Sequence, residues 1–213
     1  MTDPAVWLFA AAFTLAGTPV TWLELVATGL GLGMVACNIR AIHWGWPLAA
    51  LSSLLYLLLF WHSALYGQAL LQLVFIAVSL WGWQQWLRGR GTDGGTLSIG
   101  WMAPRQRAMA ALACAALWPV LAWALLSYTD SAVPWADAFP TALSLVAQVL
   151  LARKRVENWL LWLVVNVASV ALFASQGLWP TVVLYAVFAA LSVVGWRAWT
   201  AQVAPPRATG RTP

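Results

Sequence analysis

The chain has 213 residues, 62% of them hydrophobic and only 8% charged, with a mean hydropathy of +0.78. A soluble domain of that length carries about a quarter charged residues, so this composition excludes one and calls for a bilayer. The net charge of +5 would suit nucleic acid, but the cations stand in short clusters beside apolar runs, where they set membrane orientation; nucleic-acid binding is not expected.

The runs are continuously apolar, whereas barrel strands would alternate with polar residues at every second position, so the expected class is all-α and polytopic. From the N-terminus, residues 6–17 are too short to span and are expected to form an interfacial or partly inserted helix. Asp3 precedes them and no basic n-region does, so no cleavable signal is expected. Seven candidate spans follow, over 22–37, 47–61, 69–87, 108–128, 139–152, 159–175 and 181–196.

The charges orient these spans. Alternate loops carry Arg40, then Arg88, Arg90, Arg105 and Arg107, then Arg153, Lys154 and Arg155, and the tail adds Arg197, Arg207 and Arg211. The intervening loops, "HSALYG", the stretch with Asp130 and Asp137, and "SQGLWP", hold no Lys or Arg. Cytoplasmic loops accumulate those residues, so the N-terminus is expected outside and the C-terminus inside.

A shift of 113 positions aligns residues 40–86 with 153–199 without a gap. Trp46 falls on Trp159, Phe60 on Phe173, Phe75 on Phe188, Ser79 on Ser192, and "GWQQW" on "GWRAW". Two three-helix units are expected, with the single span 108–128 restoring a parallel orientation between them, a 3+1+3 arrangement. Transporters use parallel repeats of this kind, with the substrate near midplane at the repeat interface. The expected organisation is an N-terminal segment over 1–21, a first bundle over 22–88, a basic linker plus connecting span over 89–137, a second bundle over 138–200 and a disordered tail over 201–213. The linker's "GTDGG" reads as a flexible turn and lacks the GK[ST] of a nucleotide loop.

Polar residues inside the spans are the candidate site. Trp159, Trp162, Asn166, Ser169 and Phe173 recur at spacings of three and four and should share one helix face. An Asn facing lipid is costly, so that face should look inward. Thr141, Ser144 and Gln148 form a similar stripe; Asn38, Gln72, Tyr185 and Trp46 complete the candidates. Against this stands the plainer alternative that such residues are interhelical hydrogen-bond partners. Trp22, Trp86, Trp179 and Trp199 are expected as interfacial belt anchors. Cys37 and Cys114 lie in spans without metal-binding company, so they read as packing residues, and no metal or cofactor is expected.

Span interiors hold no Asp, Glu, Lys or Arg except Glu24 near the outer end of the first, with His62 near the outer end of the second, which favours a passive facilitator over a proton-driven pump. Enzyme chemistry would need a nucleophile with a base, yet His43 and His62 fall on opposite sides of the membrane.

The strings "RKRVENWLLWLVVN", "DAFPTALSLVAQVLLARK", "SQGLWPTVVLY" and "WPLAALSSLLYLLLFWHSALYGQALLQLVF", with "GWQQW", resemble the PnuC family of vitamin transporters over nearly all of 22–199. The resemblance implies a SWEET-like fold, a homotrimer, and facilitated diffusion of nicotinamide riboside across the bacterial inner membrane, with trapping by a cytoplasmic kinase. It also implies a site lined by Trp159, Trp162 and Asn166. Relatives in the family carry thiamine, riboflavin or deoxynucleosides on similar helices. A membrane subunit or receptor without transport is the alternative of a different class.

Overall fold

The computed structural model describes residues 8–15, 17–62, 66–89, 97–129, 133–175, 177 and 179–203. Seven helices, each long and apolar enough to cross a membrane, account for most of them: α1 Trp22–Ile39, α2 Gly45–His62, α3 Tyr66–Arg88, α4 Pro104–Tyr128, α5 Pro134–Ala152, α6 Asn158–Ser175 and α7 Trp179–Gln202. The all-α, seven-span class read from the runs is the class observed.

The N-terminal expectation is corrected. Strands β1 (Ala11–Leu15) and β2 (Thr18–Thr21) form an antiparallel hairpin in place of the interfacial helix. Gly17 in the turn takes φ +83, a left-handed conformation that glycine adopts without penalty. Phe13 and Thr14 before the turn and Thr18, Val20 and Thr21 after it suit a pleated ribbon better than a helix of so few residues. Thr21 then caps α1: its hydroxyl accepts from the Glu24 backbone N–H at 3.2 Å while the Glu24 carboxylate accepts from the Thr21 N–H at 2.7 Å. Glu24, the one acid inside the expected spans, is thereby the partner of the Thr21 cap.

Two helices start a full turn or more before their apolar runs. α4 begins at Pro104 and α5 at Pro134, because proline's fixed φ and missing N–H suit a first turn. Asp137, expected in a loop, sits in the first turn of α5. The "GTDGG" turn, Asp130, and residues 204–213 of the expected tail lie outside the described residues; Ala201 and Gln202 close α7.

The helices pack in chain order round a closed ring: α1 on α2, α2 on α3, α3 on α5, α5 on α6, α6 on α7, and α7 back on α1. α4 stands outside, against α5, with only Ala122 buried and Leu112, Val120 and Leu126 more than half exposed on a face fit for lipid. Two seams, α3 with α5 and α1 with α7, join residues 22–88 to residues 134–202.

The loops after α1 and α5 repeat bond for bond. Ile42 N–H reaches Cys37 O and Ala41 N–H reaches Asn38 O; 113 residues on, Arg155 N–H reaches Leu150 O and Lys154 N–H reaches Leu151 O. This is the double closure of a Schellman cap, whose central residue is left-handed. Ala41 (φ 54) and Lys154 (φ 51) fill that place, 113 apart, where glycine is usual.

Candidate functional site

At the end of the bundle that carries Arg40, Arg88, Arg107 and Arg153, four tryptophans meet. Trp46 and Trp159 open α2 and α6, are 1% and 3% exposed, and lie flat over Gly82 of α3 and Gly195 of α7. A methyl group at either glycine would overlap the indole, so the close approach requires Gly. Trp86 stands edge-on to Trp46 and Trp199 edge-on to Trp159, each at 5.6 Å.

Trp86 and Trp199 are not the belt anchors expected of them. Trp86 Nε1–H donates to Leu151 O at 3.1 Å across the α3/α5 seam. Trp199, fully buried, donates from Nε1 to Asn38 O at 3.0 Å and Ile39 O at 3.1 Å across the α1/α7 seam. Donors and acceptors are both related by the 113-residue shift, Trp86 with Trp199 and Asn38 with Leu151. Trp22 and Trp179 are exposed.

Asn38 is thus placed at this end and not at mid-depth. Its Oδ1 is buried without a hydrogen bond and packs over Gly45. The repeat partner of Gly45 is Asn158, which the sequence reading missed: it is fully buried and its Nδ2–H donates to Arg155 O at 2.6 Å. Each loop holds one amide in the same space, supplied from the helix end in one unit and from the next helix start in the other. The alignment contains this signal as the pairs Asn38/Leu151 and Gly45/Asn158.

Asn166 lies halfway along α6, 4% exposed, with Nδ2–H donating to Ser192 Oγ at 3.1 Å; Ser192 passes its own proton to Phe188 O at 2.8 Å. The expected single face divides in two. Trp159, Asn166 and Phe173, seven apart, meet α7, whereas Trp162 packs on the cluster of Ala142, Leu143 and Val165 beside α5.

Beyond Asn166 the α1/α7 seam becomes aromatic. Tyr185 lies 5.2 Å from Phe173 and 6.2 Å from Phe188. Phe188 reaches Gly31 of α1, where a Cβ would stand 3.9 Å from both its ring tip and Ser52 Oγ. Ser52 Oγ–H donates to Ala27 O at 2.8 Å, Thr28 and Tyr56 share a hydroxyl hydrogen bond of 3.1 Å, and Tyr56 stacks on Phe60 at 5.8 Å. Rings and hydroxyls from α1, α2, α6 and α7 therefore converge there, although among the rings sequence reading had picked only Tyr185 and, on the inward face of its helix, Phe173.

The opposite seam supplies amides. Thr141 and Ser144 of α5 donate to Asp137 O at 2.9 Å and Pro140 O at 2.7 Å, so their protons are spent within their own helix. Gln148 is 6% exposed and Gln72 half-buried, and neither amide has a hydrogen-bond partner among the described residues. Their donors and acceptors are therefore left to water or a ligand. His43 and His62 flank opposite ends of α2, roughly 27 Å apart at 1.5 Å per residue, and share no site.

The basic loop before α6 does more than carry charge. Glu157, buried, accepts the Met102 N–H at 3.0 and 3.1 Å and the Arg107 Nε–H at 2.9 Å. Gly100 pairs with the same loop through Lys154 O and the Val156 N–H, both at 3.1 Å. Lys154 Nζ donates to Leu97 O at 3.1 Å and sits 4.9 Å above the Trp86 ring; burial holds its pKa below the usual lysine range. The segment preceding α4 is thereby tied to the α5–α6 loop.

Residues 21–201 match the family described as Nicotinamide mononucleotide transporter. The chain is 34% identical over 198 residues to the riboflavin/roseoflavin transporter RibM of Streptomyces davaonensis, covering 91% of each. It is 28% identical over 208 residues to the nicotinamide riboside transporter PnuC of Escherichia coli, covering 86% of this chain and 87% of that one. A crystal structure of the vitamin B3 transporter PnuC superposes with a TM-score of 0.69 at 26% identity, over 84% of this chain and 81% of the other.

Proposed function

Because the chain belongs to the nicotinamide mononucleotide transporter family, as a multi-pass inner-membrane protein with a small vitamin as substrate, we propose that it carries nicotinamide riboside by facilitated diffusion. The observation that carries this reading is the pairing of buried residues Asn166 and Gln148 with an aromatic seam and, among the described residues, no carboxylate beside them. A pyridinium ring is attracted to aromatic faces by about 0.5–2 kcal/mol, and the amides suit a carboxamide and ribose hydroxyls. A buried carboxylate would hold the cation too tightly for release. The site is Asn166, Gln148, Gln72 and Tyr185, with Trp162 at its edge; Trp46, Trp159 and Asn38 close the path at the basic end, and Thr141 and Ser144 shape the wall. The units run parallel, with the N-terminus outside and the basic end in the cytoplasm, a kinase there traps the product, and the protein works as a homotrimer.

Riboflavin is the second reading, favoured by the 34% identity to a riboflavin/roseoflavin transporter. It too joins a flat heteroaromatic ring to a hydroxylated five-carbon group, an open ribityl chain in place of a ribose ring, but its ring system is neutral. The test is uptake into proteoliposomes containing ATP and either nicotinamide riboside kinase or riboflavin kinase, without an ion gradient. Kinase-dependent accumulation of nicotinamide riboside alone is the expected result. Accumulation of riboflavin alone transfers the site to the second reading, and no flux of either substrate rejects both.

A further inference from the structure

Outside the ring, α4 and α5 enclose a groove of about 560 Å³ that the transport path does not use. Its walls are apolar, with Met109, Ala113 and Leu117 from α4 facing Val146 of α5, and its mouth at the basic end carries Arg153 and Arg155. Residues 106–117 of α4 line it over roughly 16 Å at 1.5 Å per residue, about half the ~30 Å hydrocarbon core and so the depth of one leaflet.

The arginines say what fills it. Arg153 is exposed at the C-cap of α5 and makes no ion pair among the described residues. Arg155 spends one donor on Trp101 O at 3.3 Å, leaving the rest of its guanidinium fork. A second copy of the chain has no carboxylate to offer at this depth among the described residues: Glu157 is buried on Arg107 and Met102, while Glu24 and Asp137 belong to helix starts at the opposite end. Basic pockets between spanning helices bind anionic lipid head groups. We propose that the groove holds one anionic glycerophospholipid, its phosphate between Arg153 and Arg155 and one acyl chain along α4 and α5.

The test is native mass spectrometry of the purified full chain in neutral detergent, titrated with phosphatidylglycerol or phosphatidylcholine. One phosphatidylglycerol per chain should be retained in preference to phosphatidylcholine, and Arg153→Gln should weaken it about fivefold, the worth of one basic residue near an anionic head group. Ala113→Phe, which fills the groove without touching the charges, should displace the same lipid. Equal retention of both lipids, or adducts that survive both substitutions, would overturn the proposal. So would competition by soluble glycerol phosphate, which would mark a free-phosphate site. A photo-crosslinker at Met109 should capture lipid; capture of a second copy would assign the groove to a subunit interface.

Discussion

Asn166 is the residue on which the transport reading depends most. Its Nδ2–H is held by Ser192, and Leu at 166 would keep the volume while removing every polar contact. Asn166→Leu should weaken nicotinamide riboside binding at least about tenfold, the effect of one or two lost hydrogen bonds, with the folded protein retained. Equilibrium titration of intrinsic tryptophan fluorescence would check it, and unchanged affinity would remove Asn166 from the site. Ala41 and Lys154 offer a matched pair of backbone tests. A left-handed non-glycine residue costs about 1–2 kcal/mol, and glycine returns part of that in unfolded-chain entropy. Ala41→Gly should therefore raise the melting temperature slightly. Lys154→Gly should lower it, because the bond to Leu97 O and the contact with Trp86 are lost as well. Identical shifts would mean that backbone strain alone governs both positions.

At the scale of elements, the connection between α4's leading segment and the α5–α6 loop depends on Glu157. Arg107 is 53% exposed at its side chain, so its ion pair contributes about 0–1 kcal/mol. The Met102 N–H is the larger matter, since without an acceptor its burial costs about 1–3 kcal/mol. Glu157→Gln, which retains an acceptor, should change the melting temperature little, and Glu157→Leu should lower it by several degrees. Scanning fluorimetry distinguishes the two, and equal losses would assign the effect to charge. The sequence made the helices legible because apolar runs and prolines act locally. It missed the hairpin before α1 since six to twelve apolar residues suit either a strand or a helix until a turn is seen. Of the site, Asn166 and Gln148 were visible as polar residues with no place in lipid. Phe173 was read as part of an inward face, but its partnership with Tyr185 and Phe188 was not, since phenylalanine is unremarkable in an apolar span and its meaning comes from a neighbouring helix.

At the scale of the molecule, the register of 113 was legible from paired Trp and Gly, but the purpose of Trp86 and Trp199 was not. Both sit near span ends, where a belt is the ordinary expectation, and only the packing of one unit on the other reveals their acceptors. Phe at either position removes the seam donor, which in Trp199 serves two carbonyls, and keeps only the six-membered half of the indole. Each substitution should cost at least the roughly 0.5–1.5 kcal/mol of the hydrogen bond, and the two should not simply add, because the rings lie 6.2 Å apart. Cys37, half-buried and one residue before the Asn38 carbonyl, offers a probe of that end of α1. In a Cys114→Ala background, its rate of alkylation should rise in Trp199→Phe and not in Trp86→Phe; an equal rise in both would mean that the seams open together.

A ring has no loose edge, so on the proposed path a solute leaving at the basic end waits for a seam to part. Two indole bonds worth about 1–3 kcal/mol together lower the odds of that event roughly fivefold to a hundred-and-fifty-fold, on top of what helix packing costs. Under the proposed facilitated diffusion, with no ion gradient to drive opening, that factor would bear directly on turnover. The variant with both tryptophans replaced would then be the less stable protein and the faster carrier.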